Sequence, residues 1–224
     1  MQRMSAQMQG TESLDERRQA GRKRDEQYFA ARPDSPDVRR RIEVRLAGGT
    51  VPMEVSNGVF SSSRLDLGTS VLLRHAPHPP QTGDFLDLGC GWGPIALQLA
   101  LLSPQAKVWA VDINERALDL TRSNAALNGA ANIEPLAPDA LPDSQTFDLI
   151  WSNPPIRVGK EALHRLLMTY LPRLRPAGAA YLVVQRNLGS DSLIDWLSTQ
   201  LPDGWHAGKY ASSKGYRVIE VTRP

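Results

Sequence analysis

The sequence predicts an α/β fold with a doubly wound, mostly parallel sheet, preceded by a small hairpin-and-helix extension. From Asp84 onward, short apolar runs typical of strands alternate with longer helical segments. A glycine-rich turn lies between the first of these strands and the helix that follows it. The last two strand segments are close enough in sequence to form an antiparallel pair, which would close one edge of the sheet.

The extension is predicted from a change in hydrophobic period. Residues 41–46 alternate between polar and apolar side chains, and residues 51–55 repeat the pattern after Gly48 and Gly49. This arrangement predicts a β-hairpin. An apolar segment at residues 65–73 predicts a helix, and the proline-rich residues 76–80 end the module. We therefore expect a basic, flexible tail and linker at residues 1–40, the hairpin-and-helix module at 41–80 and the main domain at 81–224.

Seven strands and four helices are predicted in the main domain. The strands are expected at residues 85–88, 108–111, 133–136, 147–151, 180–184, 205–210 and 216–221. The helices are expected at residues 94–102, 115–127, 160–171 and 191–200. In a sheet of this kind the ligand crevice lies at the carboxyl ends of the strands.

Composition limits the class of protein. The chain of 224 residues is 41% hydrophobic, enough for one domain with a real core, and no apolar run reaches the roughly 18 residues of a membrane span. Its first residues lack the apolar segment of a secretory signal. Cys90 is the single cysteine, and the four histidines lack metal-ligand spacing. We expect a cytoplasmic protein without a bound metal or a membrane partner; a monomer is favoured, although the sequence leaves the oligomeric state open.

Positive charge is concentrated near the start of the chain. Residues 1–41 contain ten of the 26 Lys and Arg residues and seven acids, whereas the remainder is close to neutral. This asymmetry is compatible with a nucleic-acid partner, and equally with a solvated tail.

The glycine-rich turn, Asp87-Leu88-Gly89-Cys90-Gly91-Trp92-Gly93, is typical of a loop that cradles a nucleotide. Its spacing, Gly-x-Gly-x-Gly, departs from the dinucleotide pattern Gly-x-Gly-x-x-Gly. Asp87 inside the turn would repel a pyrophosphate but would attract a cationic ligand. The turn therefore favours S-adenosylmethionine over NAD.

Two further acids follow later predicted strands. Asp112 ends the second strand, at the position where an acid accepts hydrogen bonds from ribose hydroxyls, although it also fits a helix N-cap. Asp139 stands beyond the third strand, where a carboxylate can accept from an adenine amine or simply cap a turn.

Asn153-Pro154-Pro155 ends the fourth strand and suggests the reaction. The prolines have no N–H groups, so this loop presents carbonyl oxygens. The Asn153 side chain offers one more acceptor. If Asn153 Oδ1 and the Pro154 carbonyl accept the two N–H groups of a planar amine, they orient that amine for attack on a methyl group without a strong general base.

At these residues the chain resembles the class I S-adenosylmethionine-dependent methyltransferases, which implies their seven-stranded Rossmann-like sheet. The resemblance implies that Asp87, Gly89, Gly91 and Gly93 hold the methionine moiety, Asp112 the ribose and Asp139 the adenine. The neighbouring residues Cys90, Ile113 and Ala140, together with Phe60, Ser61 and Asn153, complete the implied cofactor site.

A second resemblance narrows the substrate. Residues 58–73, the segment 153–159 and Lys214-Gly215-Tyr216-Arg217 resemble the ribosomal RNA guanine-N2 methyltransferases of the small-subunit methyltransferase C family. That family has Phe and His where this chain has Ile156 and Arg157, and its type members carry an additional N-terminal half. The resemblance implies catalysis at Asn153, Pro154 and Pro155 and places Asp66 near the cofactor.

The expected partner is ribosomal RNA or a ribosomal assembly intermediate. Either Ile156 or an aromatic residue elsewhere in the chain would contact the base in place of the usual aromatic ring. Arg157 and Lys160 would neutralise phosphates or serve as ordinary surface charges. Two other functions remain open: methylation of a protein glutamine amide or of adenine N6, and a non-catalytic RNA-binding module that holds S-adenosylmethionine.

Overall fold

The computed structural model describes residues 35–61 and 63–224, with the side chain of Arg157 left out. Residues 1–34 of the predicted tail and linker, which spans residues 1–40, therefore lie outside the described part of the chain, and the first strand begins within that range, at Arg39. The described strands are β1 (Arg39–Leu46), β2 (Gly49–Ser56), β3 (Asp84–Leu88), β4 (Lys107–Val111), β5 (Ile133–Leu136), β6 (Phe147–Ser152), β7 (Leu174–Gln185), β8 (His206–Ser213) and β9 (Tyr216–Thr222). The described α-helices are α1 (Leu67–His75), α2 (Pro94–Leu102), α3 (Glu115–Leu127), α4 (Lys160–Tyr170) and α5 (Ser190–Gln200).

The main sheet has seven strands in the order β5-β4-β3-β6-β7-β9-β8. Strands β3 to β7 pair in parallel, whereas β9 pairs antiparallel with both β7 and β8. The doubly wound sheet with an antiparallel C-terminal hairpin is therefore confirmed. The N-terminal extension is also present: β1 and β2 form a separate antiparallel hairpin, and α1 follows it.

The strand register brings the ends of the central strands together. Leu88 of β3 lies opposite Val111 of β4 and Ser152 of β6, and Val111 lies opposite Leu136 of β5. The Ser152 hydroxyl also donates to the Leu88 carbonyl at 2.6 Å. The residues that follow these strands therefore meet along one edge of the sheet, which is where a doubly wound fold binds its ligands.

Apolar clusters cover both faces of the sheet. Phe85 and Trp151 belong to the cluster that contains residues of α1, α2, α3 and the hairpin, and Leu86 and Ile150 belong to the cluster with residues of α4 and α5. Adjacent residues on one strand thus enter opposite clusters. This two-sided burial explains why the parallel strands read as continuous apolar runs in the sequence.

Side chains of α3 connect the hairpin to the main domain through hydrogen bonds. Asn124, which is fully buried, accepts the Glu54 N–H at 2.6 Å and donates to the Glu54 carbonyl at 2.9 Å. It also donates to the Trp92 carbonyl in the glycine turn at 2.8 Å. One turn later on the helix, the C-cap residue Asn128 donates to the Pro52 carbonyl at 2.9 Å. The hairpin, α3 and the glycine turn are therefore held together by side-chain amides.

Among the element boundaries that differ from the sequence prediction, two have a physical cause that the structure shows. Helix α1 begins at Leu67 rather than at residue 65, because Asp66 is its N-cap and accepts the Thr69 N–H at 3.1 Å. Strand β7 begins at Leu174, six residues earlier than expected. Its pairing with β6 is irregular, and Ala177 adopts a φ of 62°. Pro176 and this irregularity conceal the first part of the strand from pattern analysis.

Candidate active site

The three glycines of the turn have two different roles. Gly89, Gly91 and Gly93 all adopt positive φ angles, of 78°, 57° and 85°. A Cβ atom at Gly89 or Gly91 would meet no atom within 4 Å, whereas at Gly93 it would lie 2.8 Å from Thr121 Oγ1. The first two glycines therefore leave open space at the strand ends, and the third allows the turn to pack closely against α3.

Asp87 lies beneath this turn and is fully buried. Its Oδ2 accepts the Ala96 N–H at 2.9 Å, a bond that caps α2 because the N-cap residue Gly93 has no side chain. Its Oδ1 has no hydrogen-bond partner among the described residues. The pKa of Asp87 is raised to about 8, chiefly by burial; the hydrogen bond from Ala96 opposes the increase, and the nearby charge of Asp112 adds to it.

Asp112 follows β4 and closes the turn from the other side. Its Oδ2 accepts the Gly91 N–H and its Oδ1 the Asn114 N–H, each at 2.9 Å. Burial raises its pKa, and these backbone hydrogen bonds oppose the increase. The next residue, Ile113, is an exposed apolar side chain beside this carboxylate. The predicted ribose position therefore borders an apolar surface.

The remaining residues of the expected cofactor site lie around the same edge. Asp139 and Ala140 are exposed in a short 3₁₀ turn, Pro138–Ala140, that follows β5. Phe60 is 52% exposed, so it does not belong to either core cluster. Ser61 adopts a φ of 57° and donates its hydroxyl to the Arg64 carbonyl at 2.6 Å.

Asn114 links the Phe60 loop to the end of β4. It caps α3, because its Oδ1 accepts the N–H groups of Arg116 and Ala117 at 3.0 and 3.3 Å. Its Nδ2 donates to the Gly58 carbonyl at 2.9 Å. Sequence analysis missed this connection, since the two residues are 56 positions apart.

Asn153 follows β6 and is held by two residues near the start of α1. Its Nδ2 donates to Asp66 Oδ2 at 2.9 Å and to Thr69 Oγ1 at 3.0 Å. Because a carboxylate accepts but does not donate, the Asn153 nitrogen must face Asp66. Both amide N–H groups are thereby used, and Oδ1 remains as an acceptor. Pro154 and Pro155 add no N–H donors beside it.

The residues after the prolines lie in a short 3₁₀ turn. Ile156 is partly buried against the cluster that contains α4 and α5. Arg157 lies in a 3₁₀ turn, Ile156–Val158, and Lys160 is exposed at the start of α4.

The aromatic ring of Tyr216 packs against Gly68 at the start of α1. A Cβ atom at Gly68 would lie 2.9 Å from Tyr216 Cε1 and 3.0 Å from Asp66 Oδ2. The ring and the carboxylate that accepts from Asn153 therefore both border Gly68. The similarity of residues 214–217 to a final hairpin was the only sequence signal for this contact.

Cys90 has the environment of a packing residue. It is buried, and its Sγ lies 3.6 Å from Thr121 Oγ1. Burial raises the pKa of its thiol, and the charges of Asp112 and Asp87 act in the same direction. These conditions disfavour a thiolate nucleophile.

Searches for two other kinds of site give negative results. Over residues 35–61 and 63–224, no group of three or more His, Cys, Asp or Glu side chains is arranged to hold a metal ion. No helix in the same part of the chain has both the length and the apolar character needed to span a membrane.

The methyltransferase small domain family matches residues 51–219, about three quarters of the chain. The chain belongs to this family. YbxB of Bacillus subtilis, an uncharacterized protein, is 30% identical over 201 residues, which are 88% of this chain and 98% of YbxB. Ribosomal RNA small subunit methyltransferase C of Pseudomonas putida is 32% identical over 190 residues, and the match spans 82% of this chain and 54% of that protein. This chain thus spans about half the length of that relative.

Solved structures support the same fold. The T. thermophilus 16S rRNA N2 G1207 methyltransferase, in complex with AdoMet and guanosine, has a TM-score of 0.69 and 24% identity. The match covers 86% of this chain and 52% of that one. M. jannaschii TYW2, in complex with AdoMet, has a TM-score of 0.56 and 16% identity, covering 82% and 87% of the two chains. The resemblance to class I methyltransferases is therefore confirmed, and with it S-adenosylmethionine as the cofactor.

The residues at the strand ends fit this cofactor. The buried and unpartnered Oδ1 of Asp87 suits a positively charged group, which would favour the ionised carboxylate. The open space beside Gly89 and Gly91 is what a ligand that approaches the backbone closely requires. The exposed side chain of Ile113 offers apolar contact next to Asp112.

Proposed function

We propose that this chain transfers a methyl group from S-adenosylmethionine to an exocyclic amino nitrogen, and that the target is guanine N2 in small-subunit ribosomal RNA. The observation that supports the chemistry is the fixed amide of Asn153. Its Nδ2 donates to Asp66 and Thr69, which fixes the orientation of the amide and leaves Oδ1 to accept a hydrogen bond from a substrate amine. A preoriented acceptor of this kind does not have to reorganise during the reaction.

The position of Asn153 supports the pairing of this acceptor with the cofactor. Asn153 follows Ser152, which lies opposite Leu88, and Gly89 begins the glycine turn directly after Leu88. The amine-binding loop and the cofactor turn are therefore next to each other at the ends of adjacent strands. Reacting groups held at neighbouring positions gain much of their rate from orientation alone.

Several residues would hold the cofactor in the proposed complex. Asp87 Oδ1 would accept from its ammonium group, Asp112 would face the ribose, and Ile113 would contact the adenine. Asp139, Ala140, Phe60 and Ser61 would complete the outer side of the site. When bound, the cofactor supplies an electrophilic methyl group on a positively charged sulfur.

The chain itself would position the amine. Asn153 Oδ1 and the Pro154 carbonyl would accept the two N–H groups of the planar amine, which turns its lone pair toward the methyl group. Transfer would leave S-adenosylhomocysteine as the product, and the alkylated nitrogen, then positively charged and acidic, would release one proton to water. No described residue needs to act as a strong general base, and the buried thiol of Cys90 is not used.

Support for guanine in ribosomal RNA comes from residues 58–73 and from the relatives. The segment that resembles the guanine-N2 family supplies Asp66 and Thr69, which hold Asn153. Curated relatives include small subunit methyltransferase C and a large subunit methyltransferase G of Streptomyces avermitilis, 33% identical over 156 residues. A guanine in folded RNA must be unstacked, at a cost of a few kcal/mol. Free or partly assembled RNA would avoid this cost.

Methyl transfer from tritiated S-adenosylmethionine tests this proposal. Ribosomal RNA, separated ribosomal subunits and protein extract serve as substrates, and the labelled products are digested to nucleosides or amino acids. We expect label in N2-methylguanosine from the small-subunit RNA. Label in N6-methyladenosine or in a glutamine amide would instead identify one of the two alternative substrates.

The Asn153→Ala variant tests the amine-binding mechanism in the same assay. Loss of one such preorganised group typically lowers kcat by about 100-fold or more. Asn132→Ala is the matched control, because Asn132 donates to the Ser103 and Ala106 carbonyls away from the strand ends of the site. Full turnover by Asn153→Ala would contradict the mechanism.

A further inference from the structure

A groove of about 730 Å³ lies between the hairpin and α1. One wall is formed by residues 42–48 of the hairpin, and the other by α1 with the segments before and after it. Its apolar lining includes Val44, Leu65 and Leu73. A volume of this size is within the range of small-molecule sites and is large enough for one nucleotide.

The rim of the groove carries positive charge. Arg45, Arg64 and Arg74 line it, and all three are exposed. In the described part of the chain, no carboxylate forms an ion pair with any of them. Glu43 is the acidic residue among those that line the groove. The unneutralised arginines favour an anionic ligand.

Trp151 also lines the groove and provides a second, independent observation. It is 1% exposed, and its Nε1–H has no hydrogen-bond partner among the described residues. An unpaired buried donor costs free energy unless a ligand or a water satisfies it. The groove therefore combines an unused hydrogen-bond donor with a cationic rim.

The groove is connected to the active site through two short links. Trp151 precedes Asn153 by two residues on β6. On α1, Thr69 contacts Asn153, and the next residue, Ser70, lines the groove. A ligand in the groove and a base at Asn153 would thus both lie next to the first turn of α1.

We propose that this groove binds the single-stranded RNA that flanks the target nucleotide. Arg45, Arg64 and Arg74 pair with its phosphates, and Trp151 donates to an acceptor on a base or ribose within the apolar interior. This inference rests on the proposed function, because it deepens the assignment of an RNA substrate. The tail at residues 1–34 is a poor alternative occupant, since its seven Lys and Arg residues exceed its six acids.

The test compares two triple variants of equal charge in RNA binding. The groove variant is Arg45→Gln, Arg64→Gln and Arg74→Gln. The control variant is Lys107→Gln, Arg165→Gln and Lys209→Gln, which removes three exposed cations outside the groove lining. Fluorescence anisotropy with a labelled single-stranded ribosomal RNA oligonucleotide gives the dissociation constants over a range of salt concentrations. Calorimetry with S-adenosylmethionine verifies that each variant still binds the cofactor.

We expect the groove variant to bind the oligonucleotide at least tenfold more weakly than the control at about 50 mM salt, with a salt slope smaller by about 2 because three phosphate contacts are lost. Trp151→Phe should weaken binding without changing the slope, since it removes a neutral donor. Equal affinities and slopes for the two triple variants would overturn the proposal. Equally tight binding of guanosine monophosphate would overturn it as well, because the groove would then be a small-molecule site.

These outcomes are distinguishable from failure of the proposed function. In the first case the wild-type protein methylates no RNA, and of the two triple variants only the groove variant binds the oligonucleotide more weakly. The RNA groove then stands and the methylation target is wrong. If methylation of ribosomal RNA is found and the groove variant binds and turns over as the control does, the function stands and the groove proposal is wrong.

Discussion

Asn153 donates an amide N–H to Asp66 Oδ2 across 2.9 Å, and the same oxygen accepts the Thr69 N–H as the N-cap of α1. One carboxylate oxygen therefore starts a helix of the N-terminal extension and orients the residue proposed to bind the substrate amine. The extension is thus part of the candidate active site.

Substitutions at Asp66 should separate these two tasks. Asp66→Ala removes both the N-cap of α1 and the hydrogen bond that orients Asn153. Loss of the cap should lower the free energy of unfolding by about 1 kcal/mol. Because the Asn153 side chain can then rotate freely, the rate of methyl transfer should fall about tenfold or more. Asp66→Ser keeps a capping oxygen on a shorter side chain, so it should retain stability and still lose activity. Urea denaturation and tritium transfer measure the two effects.

Asp66→Asn is the conservative control, because its carbonyl oxygen can accept both hydrogen bonds. It should retain most of the stability and the turnover. If Asp66→Ser were as active as the wild type, the contact between Asp66 and Asn153 would have no role in the reaction.

Asp87 should make stability depend on pH in the absence of cofactor. Burial raises its pKa in the folded chain to about 8 from the ordinary value of 3.8. The folded state therefore keeps a proton that the unfolded state has lost, and the free energy of unfolding should decrease by a few kcal/mol as pH rises from about 4 to about 8. Asp87→Asn removes this contribution, and urea denaturation at a series of pH values should show a flatter profile.

The same carboxyl should release a proton when the cofactor binds. A positively charged ligand favours ionised Asp87, so cofactor affinity should increase as pH rises toward about 8. Calorimetry in buffers with different ionisation enthalpies measures the protons released, and Asp87→Asn should release fewer near neutral pH. Asp203, which is exposed in the turn before β8, provides the control variant Asp203→Asn. Identical proton release by wild type and Asp87→Asn would contradict this assignment, and Asp112 would then be the group to examine.

The sequence predicted the parts of the site that are set by strand ends. Asp87 is the residue before the last one of β3, and Asp112 and Asn153 directly follow β4 and β6, so their proximity follows from the register of those strands. The residues that orient Asn153 were harder to find. Asp66 and Thr69 are 87 and 84 positions away from it, and no local pattern encodes a contact at that distance.

Two other features depended on packing that the sequence does not display. Ile156 was expected to contact the substrate base, a role that remains untested, but the 3₁₀ turn at Ile156–Val158 leaves it packed against a core cluster. The early start of β7 was missed because Pro176 and the irregular residues beside it interrupt the apolar pattern. Both depend on the backbone of a short segment rather than on hydrophobic period.

Asn124 should be a stability residue that acts on the hairpin. It is fully buried and makes hydrogen bonds to both backbone groups of Glu54 and to the Trp92 carbonyl. Asn124→Ala leaves these groups unpaired, so it should lower the free energy of unfolding by about 3 kcal/mol. Asn128→Ala removes a more exposed hydrogen bond, to Pro52, and should cost about 1 kcal/mol or less. If urea denaturation showed the same loss of unfolding free energy for both variants, Asn124 would contribute no more to stability than Asn128.

The glycine turn should respond differently at its second and third glycines. At Gly91, with a φ of 57°, an added Cβ meets nothing within 4 Å. Gly91→Ala should therefore lower the free energy of unfolding by only the roughly 1–2 kcal/mol of a left-handed residue, yet it should abolish cofactor binding because the methyl group enters the space beside the turn.

At Gly93 the added Cβ would lie 2.8 Å from Thr121 Oγ1. Gly93→Ala should be the less stable of the two, and Thr121→Ala in the same chain should restore part of the loss. Thermal denaturation and calorimetry with S-adenosylmethionine measure both effects, and unchanged cofactor affinity in Gly91→Ala would show that the open space beside Gly91 is not where the cofactor binds.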